Sequence, residues 1–389
     1  MRDDAVVPFA QGTARILILS DVQKLDAWRR AFQGKCKDHR YYELIERTLA
    51  NDFEYHYVIL EDQSGNVRAI QPILLVRQNL IEGVRGFFRA IVDLIRKMFP
   101  RFLTMRVLMI GCAAGAGELD ATDPDGERWI AQALGQTLRD YARNNKASLV
   151  VFKDFLAGYR DALSILPEYR YARVPSMPMT RLALSFQNFE EYLGTLGYIS
   201  RKSLRRKFRK TERAAKIDME VVNDVSPIID QIFQLYLQVH ERSPMKFENL
   251  SKEFFLGIAK EMRERVHFFV WRIDDKIVAF SLTLRCGDTL YDEVIGLDYD
   301  VALDLHLYFY TMRDVIRWAV EQKLRYYVSG PLNYDPKLHL GHELAPLDLY
   351  VLHTSALLNP IFKFALKYLE PTRHDPILKK FPNAGALSA

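Results

Sequence analysis

Apolar residues recur along this chain at two spacings. Residues 14–20 (ARILILS), 56–62 and 67–78 are short apolar or alternating runs and predict strands, the last two joined by a turn at Gln63-Ser64-Gly65-Asn66. Residues 22–32, 41–49 and 83–99 keep the three-to-four spacing of a helix, and Pro100 stops the third. A strand over 107–111 follows. Asp123-Pro124-Asp125 then opens a helix over 127–144, and 148–155 is a buried strand.

The second half repeats this order. A strand over 181–186 precedes a short helix over 189–196 and a basic helix over 201–215. After a strand at 218–222 and helices over 227–239 and 252–262, two strands flank a tight turn at Asp274-Asp275. Strands at 289–298 and 325–330 bracket an amphipathic helix over 307–322, and a last helix covers 360–369. Each half thus gives helices, a meander of strands, then a helix and a strand. This pattern predicts an α/β (α+β) fold of mixed sheets flanked by helices, in two domains over 14–175 and 176–389. The segment after about Lys337 is expected to return to the first domain.

Composition sharpens the picture in one place. The 389 residues carry a net charge of +5, yet 201–216 alone carries nine basic residues and one acid. The rest of the chain is therefore net acidic, and the positive charge sits on one helix, which points to a polyanionic partner. Three scattered cysteines give no zinc ribbon. The N-terminus has no apolar leader, and no apolar run approaches a membrane span, so a cytoplasmic protein is expected. Neither a G-x-S-x-G elbow nor a Walker A loop is present, which leaves hydrolase and NTPase chemistry without support.

The segment 287–352 places Asp298, Leu305-His306, Tyr310, Ile316, Gly330, Tyr334, Lys337 and Gly341 in a fixed order. Before it, 192–216 gives a short helix followed by a Leu-Arg-Arg basic helix. This order resembles the FemAB-like and related GNAT acyltransferases, well in the C-terminal half and mainly in arrangement in the N-terminal half. The resemblance implies two tandem GNAT-like domains. It also implies acyl or aminoacyl transfer to an amine from a phosphate-bearing donor, acyl-CoA or aminoacyl-tRNA, with no metal. One departure stands out. The glycine-rich pyrophosphate loop of GNAT proteins is replaced by Tyr299–Leu305, YDVALDL, which has no glycine. In the first half, Gly111-Cys-Ala-Ala-Gly115-Ala-Gly117 is glycine-rich and could serve instead.

Within that frame Lys337 is the candidate to stabilise an oxyanion or hold a donor phosphate, against the plainer reading of a surface loop lysine. Glu293 and Asp298 are candidate bases for the amine proton, and Asp298 is equally placed to cap a helix. Strict alternation puts Tyr291, Glu293 and Ile295 on one face of the strand and Asp292 and Asp298 on the other. His306 aligns with the family pattern and is a second proton-transfer candidate. Tyr334 completes the group, which is expected in the cleft where the domains meet. Arg201, Arg205, Arg206, Arg209 and Lys210 are the candidates to bind the donor's phosphates.

The helix over 83–99 sets Val84, Phe87, Phe88, Ile91 and Val92 on one face and Arg85, Arg89, Arg96 and Lys97 elsewhere. It reads as a helix docked on the first domain, or as a peripheral membrane contact. The acceptor is expected to be a small-molecule or lipid amine, with tRNA as a donor in reserve and no DNA partner. The rival functions are an aminoacyl-tRNA-dependent ligase acting on a cell-wall precursor, lipid or metabolite, and a non-catalytic membrane- or nucleic-acid-binding protein.

Overall fold

A computed structural model of the chain describes residues 6–79, 87–98, 104–244 and 246–388. The chain divides into two compact units. The first takes the chain up to Met177 and again Pro346–Asp375; the second takes Pro178–Ala345 and Pro376–Leu387.

In the first unit, β1 (Val7–Phe9), β2 (Gly12–Leu17), β3 (Glu54–Asp62), β4 (Val67–Asn79) and β5 (Thr104–Ile110) form an antiparallel meander. β6 (Leu149–Leu156) then pairs parallel to β5, after the long crossover helix Pro124–Asn144. The side chain of Asp123 caps that helix through the Gly126 N–H at 2.8 Å. Its Ile130, Leu134, Leu138 and Ala142, four apart, are buried in the sheet's core.

β7 (Ala172–Ala183) carries the chain from the first unit into the second. There β8 (Ile217–Val222), β9 (Val266–Ile273), β10 (Lys276–Cys286) and β11 (Thr289–Leu297) repeat the antiparallel meander. β12 (Tyr326–Ser329) pairs parallel to β11 after the crossover helix Leu307–Glu321, and antiparallel to the end of β7. β13 (Glu343–His353) then pairs antiparallel with β6 in the first unit. Helix Ile229–Arg242 lies so close to β11 that a Cβ on Gly296 would fall 2.2 Å from the Phe280 ring and 2.9 Å from the Leu235 backbone. A glycine is what this approach requires.

The structure departs from the pattern in three places. The helix expected over 22–32 is only Leu19–Val22 and a 3₁₀ turn, Trp28–Arg30. Tertiary bonds override its helical spacing: the Phe32 N–H donates to Asp120 and the Trp28 indole to Glu43. β7 begins nine residues before the expected 181, because Pro175 and Pro178 mask it. β13 has no sequence signal, being buried on both sides and interrupted by Pro346. Of the helix expected over 83–99, the described part is Phe87–Arg96; residues 83–86, Phe99 and Pro100 lie outside the described residues. Among the described residues no helix is long and apolar enough to cross a membrane.

Candidate active site

Both units contain the same device: two parallel strands that pair at one end and then part. In the first unit β5 pairs β6 from Val107↔Leu149 to Ile110↔Phe152. The loop Gly111–Gly117 then turns back into the gap. Gly117 bridges to Phe155 and donates its N–H to Asp154 O, while Lys153 Nζ donates to Gly115 O at 3.4 Å. Lys37, 6% exposed, and Tyr41 both donate to Ala114 O. Gly115 leaves room for Lys37 by lacking a Cβ, which would sit 2.0 Å from its ammonium nitrogen. The first gap therefore receives the chain's own glycine-rich loop, whose Ala114 and Gly115 carbonyls and Gly117 N–H are taken by protein partners.

In the second unit β11 and β12 pair only from Thr289↔Tyr326 to Asp292↔Ser329. β11 continues to Leu297 while β12 stops, and this opens a fork. A bulge lies at the parting point. Leu282 pairs with Val294 and Thr283 with Asp292, so Glu293 is the extra residue. The bulge breaks the strict alternation expected across 291–295, and such bulges re-aim side chains where pairing ends.

The floor of the fork is polar. Ser281 Oγ and Tyr327 OH each donate to the half-buried carboxylate of Asp292, at 2.5 Å. Burial pushes the Asp292 carboxyl above the usual range, while Ser281, Tyr327 and Lys337 oppose the shift. Lys337 is 2% exposed and donates to Gly330 O and to Leu332 O, the latter at 2.9 Å. Burial lowers its ammonium to about 7, with Asp292 pulling the other way. One of its two carbonyl partners, Leu332 (φ 70°), is the first of two consecutive left-handed residues, followed by Asn333 (φ 50°). A left-handed leucine is uncommon and costs energy, so the lysine clamps a strained turn at the end of β12. Below it lies His342, 1% exposed. Its Nδ1 meets Thr180 Oγ1 at 3.1 Å, and its Nε2 is buried without a hydrogen-bond partner. Burial, then Lys337, lowers this imidazole to about 3.

Of the residues expected from sequence, Lys337, Glu293 and Tyr334 come together here. The Lys337 ammonium is 5.8 Å from the Tyr334 ring centre, and the Tyr334 hydroxyl donates to Pro178 O. Asp298 sits apart, at the far end of β11. It caps the short helix Tyr299–Ala302 through the Asp300 N–H and pairs with Lys276 at 2.6 Å. His306 is also apart. It is the left-handed N-cap (φ 49°) of helix Leu307–Glu321, which has no side-chain cap. Burial, then Lys210, Lys207 and Arg206, hold its imidazole below the usual histidine range. The crossover helix therefore begins in a concentration of positive charge. Ser281 and Tyr327 are not singled out by sequence, Asp292 enters there only as a residue on the face opposite Glu293, and His342 only as one of four clustered histidines, itself read as structural.

The basic helix runs Tyr198–Ala214, with Leu204, Phe208 and Thr211 buried. A groove along it is lined by Arg201, Lys202, Arg205, Arg206, Arg209, Lys210 and Arg213. Arg201 bonds the carbonyls of Gly194 and Leu196, and Arg205 pairs with Glu190. Arg206, Arg209 and Lys210 are exposed and form no ion pair among the described residues. Among the described residues no group of three or more His, Cys, Asp or Glu is placed to hold a metal ion.

Residues 200–338 match a family model described as an acetyltransferase (GNAT) domain. That span contains the basic helix, the fork and Lys337. Among curated proteins, the putative 8-amino-7-oxononanoate synthase 2 of Mycobacterium tuberculosis is 22% identical over 319 residues, 80% of this chain and 41% of that protein. The chain thus spans about two fifths of that relative's length. Among solved structures, FemX aligns over 89% of this chain and 99% of its own, with a TM-score of 0.54 and 11% identity. The C-terminal domain of a putative lysylphosphatidylglycerol synthetase from Agrobacterium fabrum aligns over 86% and 94%, with a TM-score of 0.50 and 14% identity. At these identities the likeness to both structures is one of fold. Residues 200–338 thus match a GNAT acetyltransferase domain, and the chain shares its fold with FemX.

Proposed function

We propose that the second unit transfers an acyl group from acyl-CoA to the nitrogen of a substrate amine. The observation that carries this reading is the fork between β11 and β12, floored by the Lys337–Asp292 group and lying on the same matched domain as a basic helix whose Arg206, Arg209 and Lys210 form no ion pair among the described residues. The unpaired edge of β11 beyond Asp292 offers backbone groups to the amide-bearing arm of the donor. The start of helix Leu307–Glu321, with His306, Arg206 and Lys210, is the place for its phosphates. No glycine loop is needed, because side-chain cations do the work there.

In the reaction, the amine lone pair attacks the thioester carbonyl, forming the C–N bond. Glu293, at the bulge, accepts the amine proton. The C–S bond breaks, and the CoA thiolate leaves and is reprotonated to the free thiol. Lys337 is a positioning residue that clamps the turn at the end of β12 and lays positive charge under the carbonyl oxygen. Tyr334 holds the surrounding backbone at Pro178, and Asp298 caps the helix Tyr299–Ala302 at the far end of β11. The acceptor is a small-molecule or lipid amine met in the cytoplasm, and the basic amphipathic segment 83–99 adds peripheral membrane contact for a lipid acceptor.

Turnover of the Glu293→Gln variant tests this. Free thiol release from acyl-CoA with an amine panel is expected to fall by ~10²–10⁴ in kcat, with donor affinity kept. Unchanged kcat would remove Glu293 from the chemistry. Aminoacyl-tRNA as donor is favoured by one feature. The 17-residue helix Tyr198–Ala214 extends about 25 Å, farther than one pyrophosphate needs. Product formation that requires charged tRNA and is abolished by ribonuclease would select that reading.

A further inference from the structure

Helix Asn359–Leu369 in the first unit is apolar on two opposite faces. Its inner face is fixed. Asn359 accepts from the His353 N–H at 2.9 Å and donates to Arg170 O at 3.0 Å, and Phe362 and Leu366 are buried. The outer face should then be polar, and it is not. Ile361 (67%), Phe364 (61%) and Tyr368 (54%) follow at i, i+3 and i+7, and Leu357 (86%) precedes them. Four large apolar residues standing on one exposed stripe are a patch, not scattered surface hydrophobes.

The charge around the stripe says what covers it. Lys363 and Lys367 are the only ionised residues on the helix, and no acid occurs between Asp348 and Glu370. Lys367 lies over the Phe364 ring, 5.6 Å from its centre. Lysines flanking exposed Ile, Phe and Tyr, with acids absent, match the boundary between acyl chains and anionic headgroups. An apolar protein partner gives no reason for this one-sided charge. A second basic amphipathic helix, Phe87–Arg96, belongs to the same unit, with Leu94 (64%) and Met98 (79%) exposed beside Arg96 and Lys97.

We infer that the outer face of helix Asn359–Leu369 is a docking surface for an anionic phospholipid membrane, with Ile361, Phe364 and Tyr368 entering the headgroup boundary. This inference does not depend on the acyl donor or on Glu293.

Flotation of the full chain with vesicles tests it, comparing phosphatidylcholine alone with phosphatidylcholine containing phosphatidylglycerol. The chain is expected to float with the anionic vesicles, and less so as salt rises. Ile361→Ser/Phe364→Ser/Tyr368→Ser should lose binding by at least about tenfold with unchanged melting temperature. Lys363→Gln and Lys367→Gln should each weaken binding roughly fivefold and reduce the preference for anionic vesicles. Phe364→Trp should add a fluorescence component that shifts to the blue on vesicle addition, which reads insertion without disturbing the fold. No flotation of the parent chain, equal binding by the triple variant, or a dimer that the triple variant dissociates would each overturn the proposal; the last would assign the face to a second copy.

Discussion

His342 is the residue where burial has its clearest consequence. Its imidazole takes a proton only near pH 3 in the folded chain, against about 6.5 for a free histidine. Between these values the unfolded chain carries the extra proton, so stability falls as pH falls through this window, by up to ~1.4 kcal/mol per unit. Lys337 acts with the same sign in a higher window, because its folded value near 7 lies below 10.5. Its burial lowers stability below pH 7, and that loss is relieved as pH rises from 7 toward 10.5. Thermal melts across pH 4–6.5 check the lower window, and His342→Gln should flatten the slope there; an equal slope in the variant would place the acid sensitivity elsewhere. The sequence named Lys337 through its spacing from Gly330 and Tyr334. It could not show that the ammonium is buried beneath a strained turn, because Leu332 and Asn333 reveal their backbone only in the fold. Asp292 was passed over for a related reason. Its partners Ser281 and Tyr327 come from strands 11 residues before it and 35 after it, and strand pairing alone brings them together.

At the scale of elements, the basic helix and the start of helix Leu307–Glu321 form one electrostatic feature. His306 feels Lys210, Lys207 and Arg206, although the two helices are about a hundred residues apart in sequence. Reversing Arg206 and Lys210 to Glu should raise the donor KM at least about tenfold, more at low salt than at high. Both side chains are exposed, so the melting temperature should hold. Steady-state kinetics at two ionic strengths reads this, and an unchanged KM would take the phosphates elsewhere. Elements with a local signal were legible: the β9–β10 hairpin with its Asp274-Asp275 turn, the helix after Asp123, and the basic helix all lie within a few residues of their expected bounds. The elements that escaped have their cause elsewhere in the chain. β13 is buried on both sides and carries a proline, so neither alternation nor a turn marks it, and it forms because β6 offers an edge.

For the whole molecule, the two units share a plan and differ at one point. The strands β5 and β6 part around the loop Gly111–Gly117. The strands β11 and β12 pair only from Thr289↔Tyr326 to Asp292↔Ser329 and part beside the Lys337–Asp292 group. The glycine-rich segment that offers a phosphate cradle in sequence turns back into the first gap, where its carbonyls hold Lys37, Tyr41 and Lys153. The donor site proposed at the second unit's fork alone means a single donor site per chain. Calorimetric titration of the full chain with CoA and acyl-CoA measures this most directly. The account predicts one site per chain, lost when Arg206 and Lys210 are both reversed to Glu and kept in Glu293→Gln. Two sites, or none with any acyl-CoA, or one site indifferent to the charge reversal, would contradict it.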